Sequence, residues 1–176
     1  RALAGTGAVA GLCPVTEANL GDGIFDGPGW FGAGGRIGVG TDSNLRIALA
    51  EELRLLEDGQ RLRDRARAVL ATGAQSTGRR LFEAAASGGA AAIGRESGRL
   101  APGALADLVA LDTDAPDFAG RAGDRLLDTW IFASRGGAVT DVWSAGRHVV
   151  TGGRHRAREA VARRYAATLD RLRDAM

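Results

Sequence analysis

Two short runs constrain the chain more than anything else in it. Gly7 to Pro14 (GAVAGLCP) is almost wholly apolar and closes on a proline, and Ile37 to Thr41 (IGVGT) is a second run of the same kind. Apolar stretches this short, without polar alternation, suit strands buried on both faces, as in a parallel sheet. Parallel neighbours need a long crossover between them, so the chain is expected to be α/β. Between the runs, Val15 to Arg36 is rich in Gly and Asp and carries Phe25, Trp30 and Phe31. It reads as a long loop, and loops of that length in compact domains are usually functional.

Beyond the second run the periodicity becomes helical. From about Arg46 to Ala71, Ile47, Leu49, Leu53, Leu56, Leu62, Ala66, Val69 and Leu70 approximate one apolar face. Glu51, Glu52, Arg54, Glu57, Asp58, Arg61, Arg63, Asp64, Arg65 and Arg67 then read as its solvated surface. A second helix is expected from Ser76 or Thr77 to about Ile93, with Leu81, Phe82, Ala85, Ala86, Ala90 and Ile93 inward. The texture changes near Gly98. Residues 105–111, 139–144 and 147–151 read as strands between Gly and Asp turns, residues 124–133 as a short helix, and residues 157–176 as an amphipathic helix with Val161, Tyr165, Leu169, Leu172 and Met176 on one side. The expected domains are therefore 1–97, 98–155 and the terminal helix 156–176.

Composition excludes several classes of function. All 23 basic residues are arginines, and 21 acids interleave with them to leave a net charge of +2. Arg61, Arg63, Arg65 and Arg67 spread around a helix rather than lining a stripe, so no nucleic-acid partner is expected. No apolar run is long enough to span a bilayer and no signal segment opens the chain, so no membrane partner is expected and a cytoplasmic location is the default. One cysteine and two histidines cannot make a self-contained zinc site. Gly38 and Gly40 lack the third glycine of a dinucleotide fingerprint, and there is no phosphate-binding loop signature.

The residue richest in chemistry is Asp42. A carboxylate at the C-terminal end of a buried strand is where α/β barrels carry catalytic groups. The competing reading is that Asp42, Ser43 or Asn44 caps the following helix. Glu17, Asn19 and Asp22 lie past the end of the first strand, on the same side as Asp42. They are candidates for a substrate-facing loop, with turn formation as the alternative. Cys13 reads as a small core residue rather than a nucleophile, and His148 and His155 as surface groups.

Several segments carry a resemblance. Gly98 to Asp112 (GRLAPGALADLVALD) resembles the stretch by which amidohydrolase-superfamily chains leave a (β/α)8 barrel and re-enter a small β-sandwich. Val142 to Val150 (VWSAGRHVV), followed by Gly152-Gly153-Arg154, is similar to the sandwich's closing hairpin. Within that superfamily, Cys13 to Phe25 (CPVTEANLGDGIF) and Glu52 to Arg63 (ELRLLEDGQRLR) resemble the formimidoylglutamate deiminases. The fold this implies is α/β: the last two strands and helices of a TIM-type (β/α)8 barrel, part of the sandwich, and a C-terminal helix. The activity implied is zinc-dependent deimination of N-formimidoyl-L-glutamate to N-formyl-L-glutamate and ammonia, in histidine degradation, by a parent enzyme that is a homodimer.

Gly40-Thr41-Asp42-Ser43-Asn44 matches the place where the family's last barrel strand delivers a metal-ligating aspartate. The resemblance thus makes Asp42 both zinc ligand and proton acceptor. The family's histidine ligands, its proton-shuttling glutamate and its substrate-binding arginine and tyrosine have no match in the chain, which opens on Arg1 rather than Met. A closed barrel takes about 250 residues. The chain is therefore expected to be a fragment, inactive alone and not retaining zinc by itself. The alternatives are another aminohydrolase, of guanine-deaminase, adenosine-deaminase or chlorohydrolase type, or a non-catalytic half-barrel that serves binding or assembly.

Overall fold

The computed structural model describes residues 2–175, which form two compact units. Arg1 and Met176 lie outside the described residues. The first unit contains residues 2–104 and 113–136 and is built on β1 (Val9–Leu12) and β2 (Arg36–Val39). These strands pair in parallel, with Leu12 opposite Val39, as the two apolar runs predict. Leu12 and Ile37 are buried, and the Gly40 N–H extends the pairing by donating to the Leu12 carbonyl at 2.9 Å.

The connection between them is not an open loop. It contains α1 (Pro14–Leu20) and α2 (Gly27–Gly32). Pro14 occupies the first helical position, where its fixed φ and missing N–H cost nothing, and Gly21 ends the helix at φ 76°. The Asp26 side chain caps α2 by accepting the Gly29 N–H at 3.2 Å. Gly and Asp here are helix punctuation rather than loop filler, so Glu17 and Asn19 lie on a helix and not on a loop.

The long helix is also shorter than its apolar periodicity suggests: α3 is Leu49–Asp64 and ends at Arg65 in a left-handed conformation, φ 51°. Its inner face corrects the expectation of a solvated charged surface. Glu52, Glu57 and Gln60 are 1%, 0% and 1% exposed and share that face with Leu53 and Leu56, whereas Ile47, ahead of the helix, and Leu62 are each 79% exposed. Buried polar groups persist only when hydrogen-bonded, and these three are. Gln60 accepts the Gly27 N–H at 3.2 Å and donates to the Phe25 carbonyl at 2.9 Å.

Glu57 grips the strained segment that follows α3, in which Ala68 also has a positive φ of 50°. Its two oxygens accept the Val69 and Leu70 N–H groups, each at 2.9 Å, and it pairs with Arg61 at 2.7 Å. Glu57→Ala strands two amide donors and is expected to destabilise the folded protein by about 3 kcal/mol. Chemical denaturation measures this; a loss below about 1 kcal/mol would show that water replaces the carboxylate without penalty.

After α3, Ser76 caps α4 (Thr77–Ala92) by accepting the Arg79 N–H at 3.3 Å. α4 lies directly on β2. A Cβ on Gly88 would sit 1.9 Å from the Ile37 carbonyl oxygen, and one on Gly38 would sit 3.3 Å from the Gly89 Cα. Backbone thus meets backbone with no side chain between. Arg80 stacks over Phe31 at 4.5 Å and donates to the Leu70 carbonyl at 3.0 Å, joining α2, α4 and the segment after α3.

The division of the chain also differs from the expected boundary near residue 98. It falls at residue 104/105, and residues 113–136 return to the first unit. They carry α5 (Asp124–Phe132), which was expected to lie with the sheet. α5 packs on α4 through an edge-on Phe82–Trp130 pair at 5.8 Å, and Asp128 accepts the Gly78 N–H at 2.7 Å.

The second unit, residues 105–112 and 137–175, is an antiparallel sheet in the order β3 (Leu108–Leu111), β4 (Val139–Ser144), β5 (Arg147–Thr151), β6 (Arg154–His155), with α6 (Arg158–Asp174). His148 stacks on Trp143 at 4.4 Å and meets Asp141 at 2.7 Å, so it holds the hairpin together. Among the described residues α6 buries none of its side chains, and no helix is long and apolar enough to cross a membrane.

Candidate active site

The C-terminal ends of β1 and β2 lie side by side, and the groups that follow them meet there. After β1 the chain turns at Cys13 into α1. The Cys13 N–H donates to Glu17 Oε1 at 2.7 Å, which commits Glu17 to the start of its own helix. Asn19 and Asp22 are exposed on the far part of α1 and just beyond it. Of the three candidates, the structure places Glu17 beside the strand end, whereas Asn19 and Asp22 are exposed farther along.

After β2, residues 41–44 form a tight turn closed by the Asn44 N–H donating to the Thr41 carbonyl at 2.9 Å. Asp42 occupies it with φ 46°. Left-handed backbone costs a residue with a side chain about 1–2 kcal/mol, least for Asn and Asp. Such strain survives only where the surroundings over-determine it. Here the buried Thr16 hydroxyl also donates to the Thr41 carbonyl, at 2.8 Å, and the Asn44 side chain brackets Arg46 by accepting its N–H and donating to its carbonyl, both at 2.9 Å.

The capping reading of Asp42, Ser43 and Asn44 does not hold. The N-cap of α3 is Ala48, which makes no side-chain capping bond. Asn44 instead donates to Glu52 Oε1 at 3.3 Å. Among the described residues, the exposed Asp42 carboxylate makes neither a hydrogen bond nor an ion pair. It is displayed at the strand end with both oxygens uncommitted.

Cys13 lies among these acids. Burial first, and then the negative charges of Asp42, Glu17 and Glu52, push its thiol above the usual range, against a backbone hydrogen bond from Gly40 that favours the thiolate. The thiol is thereby held neutral, as suits a packing residue rather than a nucleophile. Glu52 is the group that apolar periodicity missed. Its place on the helical wheel beside Leu53 and Leu56 was the available signal.

The chemistry of Asp42 fits one oxygen ligand of a divalent metal. No group of three or more His, Cys, Asp or Glu residues able to hold a metal occurs among the described residues. What the described residues supply is one free carboxylate on a strained, hydrogen-bonded turn at the mouth of a parallel strand pair.

The amidohydrolase family model matches residues 1–149. Formimidoylglutamate deiminase from Pseudomonas aeruginosa is 50% identical over 174 residues, covering 98% of this chain and 38% of its own length. The crystal structure of an amidohydrolase from Brucella melitensis superposes with a TM-score of 0.89 at 49% identity, over 97% of this chain and 37% of that one. An adenosine deaminase from Xanthomonas campestris with bound zinc shares the fold, with a TM-score of 0.80 at 24% identity, over 94% of this chain and 38% of that one. The chain thus spans less than two fifths of the length of these relatives. Its two parallel strands and their helices are a portion of a larger barrel fold, and the chain belongs to the amidohydrolase family.

Proposed function

We propose that this chain is the C-terminal part of a zinc-dependent formimidoylglutamate deiminase, which hydrolyses N-formimidoyl-L-glutamate to N-formyl-L-glutamate and ammonia in histidine degradation. The observation that carries the reading is the 50% identity to the Pseudomonas aeruginosa enzyme across 98% of the chain. The uncommitted carboxylate of Asp42 at the strand end supports it. The parent enzyme is cytoplasmic and homodimeric on this reading, its partner a small-molecule substrate.

Asp42 is one ligand of the metal, and the remaining ligands come from outside this chain. Zinc, when bound, brings the pKa of a coordinated water near 7. The work of Asp42 is to receive a proton. One carboxylate oxygen takes it as water adds to the formimidoyl carbon and returns it to the departing nitrogen; the C–N bond then breaks as the second water proton, on the new hydroxyl, passes to the same nitrogen, leaving ammonia and the formyl carbonyl. The turn at residues 41–44 keeps the carboxylate aimed while its charge changes. Glu17, Asn19 and Asp22 are the substrate-facing candidates, Glu17 beside the strand end and engaged at the Cys13 N–H, Asn19 and Asp22 exposed farther along.

The test assays the full-length protein side by side for ammonia release from N-formimidoyl-L-glutamate, guanine and adenosine and for chloride release from a chlorotriazine. Turnover of the first alone is expected. A purine or triazine turned over in preference would assign the chain to another aminohydrolase, and no turnover of any of them would favour the assembly module.

A further inference from the structure

Glu52 is a buried carboxylate that the chemistry above does not use. It stands in the first turn of α3, and among the described residues it has no ion-pair partner. Its two oxygens serve different parts of the chain: Oε2 accepts the Val15 N–H at 2.9 Å, and Oε1 accepts the Asn44 side-chain amide at 3.3 Å. Asn44 closes the turn onto the Thr41 carbonyl, and that same carbonyl accepts the hydroxyl of Thr16, the residue after Val15. The bonds therefore form a closed ring: Glu52 to Val15 and Thr16, to Thr41, to Asn44, and back to Glu52. Asp42 sits within the arc of the ring that adopts left-handed backbone. A buried carboxylate on a face shared with leucines is weak evidence for stability, because well-packed apolar side chains commonly do as well there.

We propose that Glu52 is a positioning residue for Asp42, holding the start of α1 and the turn after β2 at one spacing so that the Asp42 carboxylate keeps its aim. This rests on the reading of Asp42 as the metal-holding and proton-accepting group. Groups that orient a metal ligand from behind typically cost 10- to 100-fold in metal affinity or activity when removed. Glu52 acts one step further back, through the backbone of the turn.

The experiment compares Glu52→Gln, Asn44→Ala and their double variant in the full-length protein, with Asp42→Asn alongside. Glu52→Gln keeps the size of the side chain but turns an amide donor toward a donor it formerly accepted from, which opens the ring at one point. The readouts are kcat and KM on N-formimidoyl-L-glutamate and the rate at which a chelator strips zinc from the zinc-loaded protein. Each single variant is expected to lower kcat and to speed zinc loss roughly 10-fold or more, with KM within about threefold. The double variant is expected to be no worse than the worse single, because both open one ring. A merely structural role would lower the melting temperature and leave kcat and zinc loss of the folded protein unmoved.

Values within about twofold of the parent for Glu52→Gln, or single effects that multiply in the double variant, would overturn the proposal. Should Glu52→Gln not fold, Asn44→Ala interrogates the same ring by the same criteria. An inactive Asp42→Asn beside an unaffected Glu52→Gln defeats the ring alone, whereas an Asp42→Asn that keeps activity and zinc defeats the reading of Asp42. If the parent does not turn the substrate over, zinc loss alone decides.

Discussion

With Asp42 the proton acceptor of the proposed deiminase, Asp42→Asn in the full-length protein is expected to lower kcat on N-formimidoyl-L-glutamate by roughly 10²- to 10⁴-fold while leaving the fold intact, since removal of a positioned proton acceptor costs that much. The substitution isolates the charge. Asn has the same size and is, with Asp, among the side chains that best tolerate the left-handed backbone seen at φ 46°. No stabilising contact is lost, because the Asp42 carboxylate has no bonded partner among the described residues. The melting temperature should therefore stay near that of the parent, with a stability change within about 0.5 kcal/mol. A helix cap would behave in the opposite way, losing stability and keeping turnover, but the cap position of α3 belongs to Ala48. Steady-state kinetics and thermal melting on one preparation separate the two outcomes, and an Asn variant with near-parental kcat would remove Asp42 from the chemistry.

The largest expected effect on stability is Gly88→Ala. An added Cβ would lie 1.9 Å from the Ile37 carbonyl oxygen and 2.7 Å from its carbon. Neither atom belongs to a flexible side chain, so α4 must move off β2. Overpacking costs about 1–3 kcal/mol and occasionally more; with backbone on both sides this case belongs at or beyond the upper end, despite the roughly 1 kcal/mol by which Ala is the better helix former. Against a typical total of about 5–15 kcal/mol, a substantial part of the folding free energy would go. Gly89→Ala is the control one residue along. A Cβ there meets nothing within 4 Å, so the propensity gain should appear alone, as a stabilisation of up to about 1 kcal/mol. Denaturant midpoints of the two variants should fall on opposite sides of the parent, and equal midpoints would refute the direct backbone contact.

What could be read in advance was what hydrophobic patterning controls. The parallel pair β1–β2, the start of α4 at Ser76 and Thr77, the strand at residues 139–144 and the helix beginning at Asp124 all follow from local apolar runs and caps. Asp42 was legible as well, because its place depends only on where a buried strand stops. α1 and α2 were not. Gly21, Gly27 and Gly29 weigh toward a loop, whereas the deciding features are single residues: Pro14 at a helix start, Glu17 reaching back to the Cys13 N–H, and Asp26 as a cap. The apolar rhythm runs past the end of α3 for a related reason. Val69 and Leu70 continue an apolar rhythm, yet they lie in a segment that has turned back so that its N–H groups reach Glu57.

The division of labour is clearest along α3. Sequence by itself determined that a helix runs here and that Leu53 and Leu56 face inward, because burial of apolar surface follows the 3.6-residue repeat wherever the helix packs. It also determined that a carboxylate would stand at the end of β2. Only the tertiary structure decided that Glu52, Glu57 and Gln60 are interior residues. A buried polar side chain is tolerable only if donors or acceptors are brought to it, and the amides of Val15, Gly27, Val69 and Leu70 reach them from other parts of the chain. Those partners do not exist until the chain has folded, and one of the three, Glu52, also accepts the Asn44 side-chain amide of the turn that carries Asp42.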